Sequence, residues 1–428
     1  MEKTQRASEK FLKSNALYRY QLQIFFCMTT LYTFYFVANN NLGPAIKPMQ
    51  DELGISSARI GILFTVFTLL FATGQFFSGY IADRFSPKKV MLIGAIGATI
   101  ANILFGISNS LLAFTCFWGM NALFLAMGWS PGCKILYNWL PPKRWGLFMG
   151  IYNAFSFLGG VIVYPFAGWV IIRWGWRAAF IVPPLCLAIW AGVFAKVVKN
   201  TPQQAGYKIE WKTNNKANDD GGIDWHDYKK VLLNPLMNLV CISAICSQFV
   251  RWGLVNWGVK ILTEPLGSGG FGLTLVLATA LASLMHWGGA LFSIVLGYVS
   301  DTLFKGQRWQ SICIGFILSF IALILLYQIG ADILTLPAGL LLLGLILFVS
   351  GGCIQGLQAP IFNLPEAILG SRLSGTATGI VNGWSYIGAS LSGIFLGWLF
   401  DGYGFNMGIL FMAIISLIGG MVICLVRR

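Results

Sequence analysis

An all-α membrane protein of twelve transmembrane helices in two six-helix bundles, with both termini cytoplasmic, is the fold the sequence predicts. Three observations carry it. The 428 residues are 57% hydrophobic and only 10% charged, where a soluble domain carries about a quarter charged. Apolar runs of about 20 residues, the length that crosses a hydrocarbon layer of roughly 30 Å, recur twelve times along the chain. One long polar stretch, KNTPQQAGYKIEWKTNNKANDDGGIDWHDYKK, divides them six and six.

Taken in order, MEKTQRASEKFLKSNALYRY is charged and lacks the short apolar region and cleavage site of a removed signal. It leads into a first span at 20–42. The next five fall at 58–80, 90–108, 110–134, 146–170 and 178–196, each broken off by charge, Gly or Pro. The linker has the composition of a solvated segment. Beyond it come 235–262, 273–300, 310–329, 336–360, 374–398 and 405–425. The organisation is therefore an N-terminal bundle over 1–196, a cytoplasmic linker over 197–234 and a C-terminal bundle over 235–428.

The net charge of +14 raises the question of nucleic acid. With the N-terminus inside, cytoplasmic segments hold 22 of the 29 Lys and Arg. The opposite side holds five, Lys47, Arg59, Arg173, Arg177 and Lys260, while Lys134 and Arg251 lie at membrane depth. That is the positive-inside distribution, so the charge expresses topology and a nucleic-acid partner is excluded. Eight of the nine cysteines lie inside apolar runs and Cys133 near the end of one, as soft packing residues rather than a disulfide set. No metal-ligand spacing, nucleophile–base pair or nucleotide loop appears, which excludes an enzyme and implies no cofactor. Gly159–Gly160 and Gly351–Gly352 follow no strand and read as close helix approaches.

Two turns carry nearly the same text: GYIADRFSPKKV from Gly79 and GYVSDTLFKGQR from Gly297, each after the second span of its half. A glycine (Gly79, Gly297) permits helix approach. An acid (Asp83, Asp301) stands where it can face the positive N-terminal end of another helix. Basic residues follow (Arg84, Lys88, Lys89; Lys305, Arg308) at headgroup level. An acid–helix contact that forms in one conformation and breaks in another is a latch.

Twelve spans in two sixes, with Gly-x-x-x-Asp-Arg and a basic tail after the second, resemble the major facilitator superfamily of secondary transporters over essentially the whole chain. The resemblance implies alternating access about a central site. Further stretches resemble its organophosphate:phosphate antiporter branch: MGWSPGCKILYNW in span four, GWRAAFIVPP at span six, NTPQQAGY at the linker start, FVRWGLVNW in span seven and SGTATGIVNGWSYIGA in span eleven. That branch holds phosphate with two arginines. Arg251 falls on one; the other falls on Ala38. The branch's span-two lysine falls on Gln75, its span-five histidine near Ser156 and its span-eight acid on His286. The scaffold resembles the branch while its polar pocket departs from it.

Arg251 stands about midway through span seven, where a charge normally faces a cavity and a partner. Its planar donors suit a carboxylate or phosphate. No Asp or Glu falls in the middle of any span, which points to an anion on a substrate; an ion pair with Glu366 or a backbone carbonyl is the internal alternative. His286 is the one histidine in a span and stands either as a proton-coupling group or as a neutral ring bonded to a carbonyl. In NNN, Asn39 and Asn40 are read as substrate ligands, with bonds between helices as the other reading. Gln75, Tyr35, Tyr152, Asn153, Gln248, Trp252, Asn256, Trp384 and Tyr386 complete the candidate lining. Lys134 is a gate candidate, or snorkels to the headgroups.

The expected function is movement of a small polar, anionic or zwitterionic organic solute across a bacterial inner membrane or plasma membrane. Phosphate or a proton is the candidate coupling ion, membrane lipid is the surroundings, and a monomer is expected. Two alternatives stand: a proton-coupled importer of an amino acid, nucleoside or similar nutrient, and a transporter-like sensor without net flux.

Overall fold

In lipid every backbone amide must find its partner inside the chain, and for one segment the helix does this. The computed structural model describes residues 2–141, 145–207, 225–304, 307–369 and 371–426, among which there is no strand. The first half holds α1 (Glu2–Asn40), α2 (Leu42–Leu53), α3 (Ser57–Arg84), α4 (Pro87–Gly106), α5 (Leu111–Leu125), α6 (Trp129–Trp139), α7 (Trp145–Trp174) and α8 (Val182–Val197). A short α9 (Trp225–Leu232) ends the expected linker, whose residues 208–224 lie outside the described ones. The second half holds α10 (Pro235–Thr263), α11 (Leu275–Thr302), α12 (Arg308–Ile329), α13 (Gly339–Gly356), α14 (Gln358–Leu369), α15 (Ser371–Tyr403) and α16 (Phe405–Cys424).

Among the described residues, eleven segments are long and apolar enough to cross a membrane. The twelfth place is taken by α15, 33 residues long, whose Ser, Thr and Gly content lowers its hydropathy. The expected fourth span, 110–134, is two helices, α5 and α6, and the first and tenth are continued past their expected limits by second helices, α2 and α14. In each pair the second helix has a proline in its first turn (Pro44, Pro131, Pro360). Proline is tolerated there because its missing N–H is needed by no helical carbonyl.

Within the first half α1 packs on α7 and α8, and α5 on α3 and α4; within the second, α10 packs on α15 and α16, and α11 on α13. The halves meet along α3–α15, α7–α11 and α2–α10. An even number of crossings puts both termini at one end, here the linker end; the other is the far end. Residues three or four apart share a helix face, so Gly379, Gly383, Gly393 and Gly397 lie on one stripe of α15. At its far end a Cβ on Gly393 would stand 2.7 Å from the Gly61 carbonyl oxygen, and one on Gly397 would stand 2.5 Å from that of Ser57. At Gly379 and Gly383 a Cβ would meet nothing within 4 Å. The second seam behaves alike. A Cβ on Gly168 or Gly160 would run into Thr279 or the His286 ring, both at 2.5 Å, whereas Gly150 and Gly297 face open space. The halves are closed together at the far end and diverge toward the linker end.

Candidate functional site

Where the halves begin to diverge, two small adjoining cavities lie between them, and a third beside them is lined by residues of the first half alone. The first is bordered by Phe36 and Asn40 of α1, Ser156 of α7, Arg251 and Trp252 of α10, His286 of α11 and Gln355 of α13. The second shares Asn40, Trp252 and Val255 with it and adds Asn39 and Asn256 over a floor of Phe64, Phe67 and Trp118. The third, reached past Asn39 and Phe36, is bordered by Tyr32, Tyr35, Phe71, Gln75 and Trp129.

Arg251 reaches the first cavity from mid-α10. Its hydrogen bond is a long one, 3.4 Å to the Gln248 Oε1 one turn back, and its guanidinium lies 5.8 Å from the Trp252 ring centre. The phenols of Tyr386 and Tyr32 lie within its electrostatic reach. Among the described residues no carboxylate forms an ion pair with it; the side chain of Glu366, the acid weighed as its partner, lies outside them. His286 shares that cavity, its ring centre 5.0 Å from that of Tyr164 and its Nε2 buried without a partner. Beside it Gln355 donates through Nε2 to the Met285 carbonyl at 2.9 Å and leaves Oε1 unpartnered.

The three asparagines divide. Asn39 and Asn40 border cavities, while Asn41 turns into the first half and donates to Asn102 Oδ1 and the Ala179 carbonyl, both at 2.9 Å. Tyr35 and Gln75 border the third cavity, with the Tyr35 hydroxyl donating to the Met91 carbonyl. Tyr152 lies apart from these cavities: its ring stacks on Tyr32 at 4.4 Å and its hydroxyl donates to the Gly128 carbonyl. Asn153 and Trp384 border none of the three, and Trp384 is exposed. Tyr386 packs on Phe71 across the halves at 5.8 Å.

At the linker end, Lys134 donates to the Ala82 carbonyl at 3.0 Å, joining α6 to α3 within the first half. The side chains of Asp83 and Asp301, and the surroundings of Gly79, lie outside the described residues. Arg84 is exposed over the Tyr80 ring, and Arg308 donates to the Asn363 carbonyl within its own half. The close approach expected at Gly297 does not occur: no atom stands within 4 Å of where its Cβ would be, because the halves have parted there.

The bonds that bridge the halves gather instead at the far end. Asp401 of α15 accepts from the backbone N–H groups of Ser57 and Ala58, at 3.0 and 2.7 Å, in the first turn of α3. Lys260, assigned from the sequence to the side opposite the linker, lies inside α10, 4% exposed, where it donates to Gln50 and, at 2.6 Å, to Ser57 Oγ. Lys47 pairs with Glu264 at 3.4 Å. Asp401 escaped the sequence reading because it falls between the expected spans 374–398 and 405–425; a lone acid in the otherwise apolar GWLFDGYG was the available signal.

Against known proteins, the model of the Major Facilitator Superfamily matches residues 28–393. The chain belongs to this superfamily. Within it, the membrane sensor protein UhpC of Escherichia coli is 29% identical over 95% of this chain and 92% of its own length. The glycerol-3-phosphate transporter of Bacillus subtilis is 25% identical over 94% and 91%. The resemblance to the organophosphate:phosphate antiporter branch thus extends along the chain. A crystal structure of a bacterial homologue of the human lysosomal transporter Spinster, inward-facing and unoccupied, superposes with a TM-score of 0.79 at 16% identity over 95% of this chain and 97% of that one. The superfamily fold and a multi-pass membrane location follow.

Proposed function

We propose that this facilitator-superfamily chain is a secondary transporter that carries a small organic anion in one central site, with Arg251 as the fixed counter-charge. The observation that carries the reading is that guanidinium: bordering a cavity between the halves, with one long bond to a neutral amide and no described carboxylate in an ion pair with it. A buried charge without a partner is costly, and a carboxylate, sulfonate or phosphate ester arriving in the cavity removes that cost with paired hydrogen bonds. Transport of organophosphates by relatives such as the glycerol-3-phosphate transporter supports an anionic cargo. The loss of the branch's other arginine, at Ala38, favours a cargo with one negative charge.

The excess of Lys and Arg at the linker end supports a cytoplasmic linker and termini. On that orientation the conformation described is inward-facing, and alternating access consists of opening the far-end seam while closing the linker end.

In proteoliposomes loaded with inorganic phosphate, uptake of the anion that most raises thermal stability in a screen of sugar phosphates, carboxylates, amino acids and nucleosides tests the reading. Arg251→Ala should fold and lose most of that uptake; uptake at the unsubstituted level would remove the anchor. Acceleration by internal phosphate marks exchange, and dependence on a pH gradient marks proton symport. Likeness to the sensor UhpC favours a second reading, solute binding without flux; saturable binding with no uptake under either gradient would establish it.

A further inference from the structure

Resting on the reading of Arg251 as the anion's anchor, a second group of unmet donors extends the site. Trp252 and Asn256 lie one turn apart on the same face of α10, 9% and 6% exposed, and both border the second cavity. The Trp252 indole N–H and the Asn256 Nδ2 have no hydrogen-bond partner among the described residues. Buried donors left open are rare in native structures and mark an absent partner. Across that cavity stand Asn39 and Asn40, and the Tyr164 hydroxyl at its border is spent on the Val255 carbonyl, so the polar border is made of amides, an indole and a phenol, with no Lys, Arg, His, Asp or Glu among the residues that line it. Its floor is the apolar surface of Phe64, Phe67 and Trp118. The two cavities adjoin, with Asn40, Trp252 and Val255 as walls common to both.

We infer that the second cavity is a selectivity subsite for an uncharged acceptor, a hydroxyl or carbonyl oxygen carried by the same molecule whose oxyanion pairs with Arg251, with Trp252 Nε1–H and Asn256 Nδ2 as its donors. Consecutive residues of α10 divide the labour: Arg251 neutralises charge in one cavity, and Trp252 with Asn256 reads the uncharged end in the other. A second anionic group is disfavoured there, because the subsite offers dipoles and no counter-charge.

Matched pairs of anions that differ in hydroxyl groups at fixed head group test this: propionate and glycerate, ethanesulfonate and isethionate, propyl phosphate and glycerol 3-phosphate, titrated calorimetrically into the purified full chain. For the head group that binds, the hydroxylated member should bind more than about fivefold tighter, the worth of one or two neutral hydrogen bonds. Asn256→Leu and Trp252→Phe, which delete one donor each at similar volume, should each cut that ratio to below about twofold. Should Asn256→Leu fail to fold, Trp252→Phe keeps the ring and carries the test. Equal affinity within every pair, or a ratio that survives both variants, overturns the subsite while leaving the anchor standing. Absence of binding by all six anions, or binding that Arg251→Gln leaves intact, overturns the anchor and the subsite with it.

Discussion

Asp401 caps the first turn of α3 around Ala58: its carboxylate accepts the Ala58 N–H at 2.7 Å across the boundary between the halves. The first amides of a helix have no partner in their own helix, and an anion at that end is favoured by the helix dipole. In α3 the Ser56 hydroxyl serves Arg59, while Ser57 and Ala58 are served from α15. An acid on a foreign helix end was expected at the linker end, from Asp83 or Asp301; here the arrangement occurs at the far end, with another acid. This contact has to break whenever the far end opens.

Removing it should therefore shift the conformational balance. A lost N-cap costs about 0.5–2 kcal/mol, or a change of about 2- to 30-fold in the ratio of far-end-closed to far-end-open molecules. Nitroxides at Ser110→Cys and Asp332→Cys, in a background whose native cysteines are replaced, should show a larger long-distance population in Asp401→Ala. An unchanged distance distribution would assign Asp401 to a passive surface role.

Packing at the seam makes a sharper demand. A Cβ on Gly61 would collide with the Gly393 carbonyl and stand 2.8 Å from the Ile394 Cα, and backbone has no rotamer by which to yield. Gly61→Val should fold, hold the far end open by the same spin-label distance, and abolish uptake. Normal uptake would mean that α3 and α15 never need this contact.

Inside the first half, Asn102 is fully buried and joins Asn41, Asn121, Ala98 and the Ala38 carbonyl through one amide. Bonds between membrane helices average about 0.6 kcal/mol. Asn102→Leu, which breaks three of them, should lower stability by about 2 kcal/mol in a detergent unfolding titration without changing selectivity among bound anions. A change in selectivity with stability intact would contradict this scaffolding role.

His286 stands against Gly160 of the opposite half and borders the cavity of Arg251, its Nε2 buried without a hydrogen-bond partner among the described residues. If it carries the coupling proton, His286→Gln should retain anion binding and lose the response of uptake to an inward acid gradient. An equal response in both proteins would confine His286 to packing between α7 and α11.

Periodicity and charge made the scaffold legible. Runs of apolar residues, one polar interruption and a lopsided distribution of Lys and Arg determine which segments cross, since lipid tolerates few arrangements of a backbone. Arg251 was legible for the same reason, a charge where charge is costly. Contacts between elements were not. Whether an asparagine of NNN meets cargo or a neighbouring helix depends on a rotation of about 100° per residue and on the helix break at Asn41. Gln355 looks ordinary in sequence and gains interest only because α13 brings it beside His286. Asp401 resembles a loop charge until the end of α15 is seen to run on into the seam, and nothing in the sequence shows that Lys260 reaches Gln50 and Ser57.

The solitary guanidinium between the halves has an electrical consequence. Carrying one elementary charge through the membrane field changes the energy by about 2.3 kcal/mol per 100 mV. A monoanion seated on Arg251 makes the loaded carrier neutral there, so its passage is indifferent to voltage; a dianion leaves one negative charge and the vacant carrier one positive. Current recorded per molecule delivered would therefore weigh the cargo's valence before its name is known.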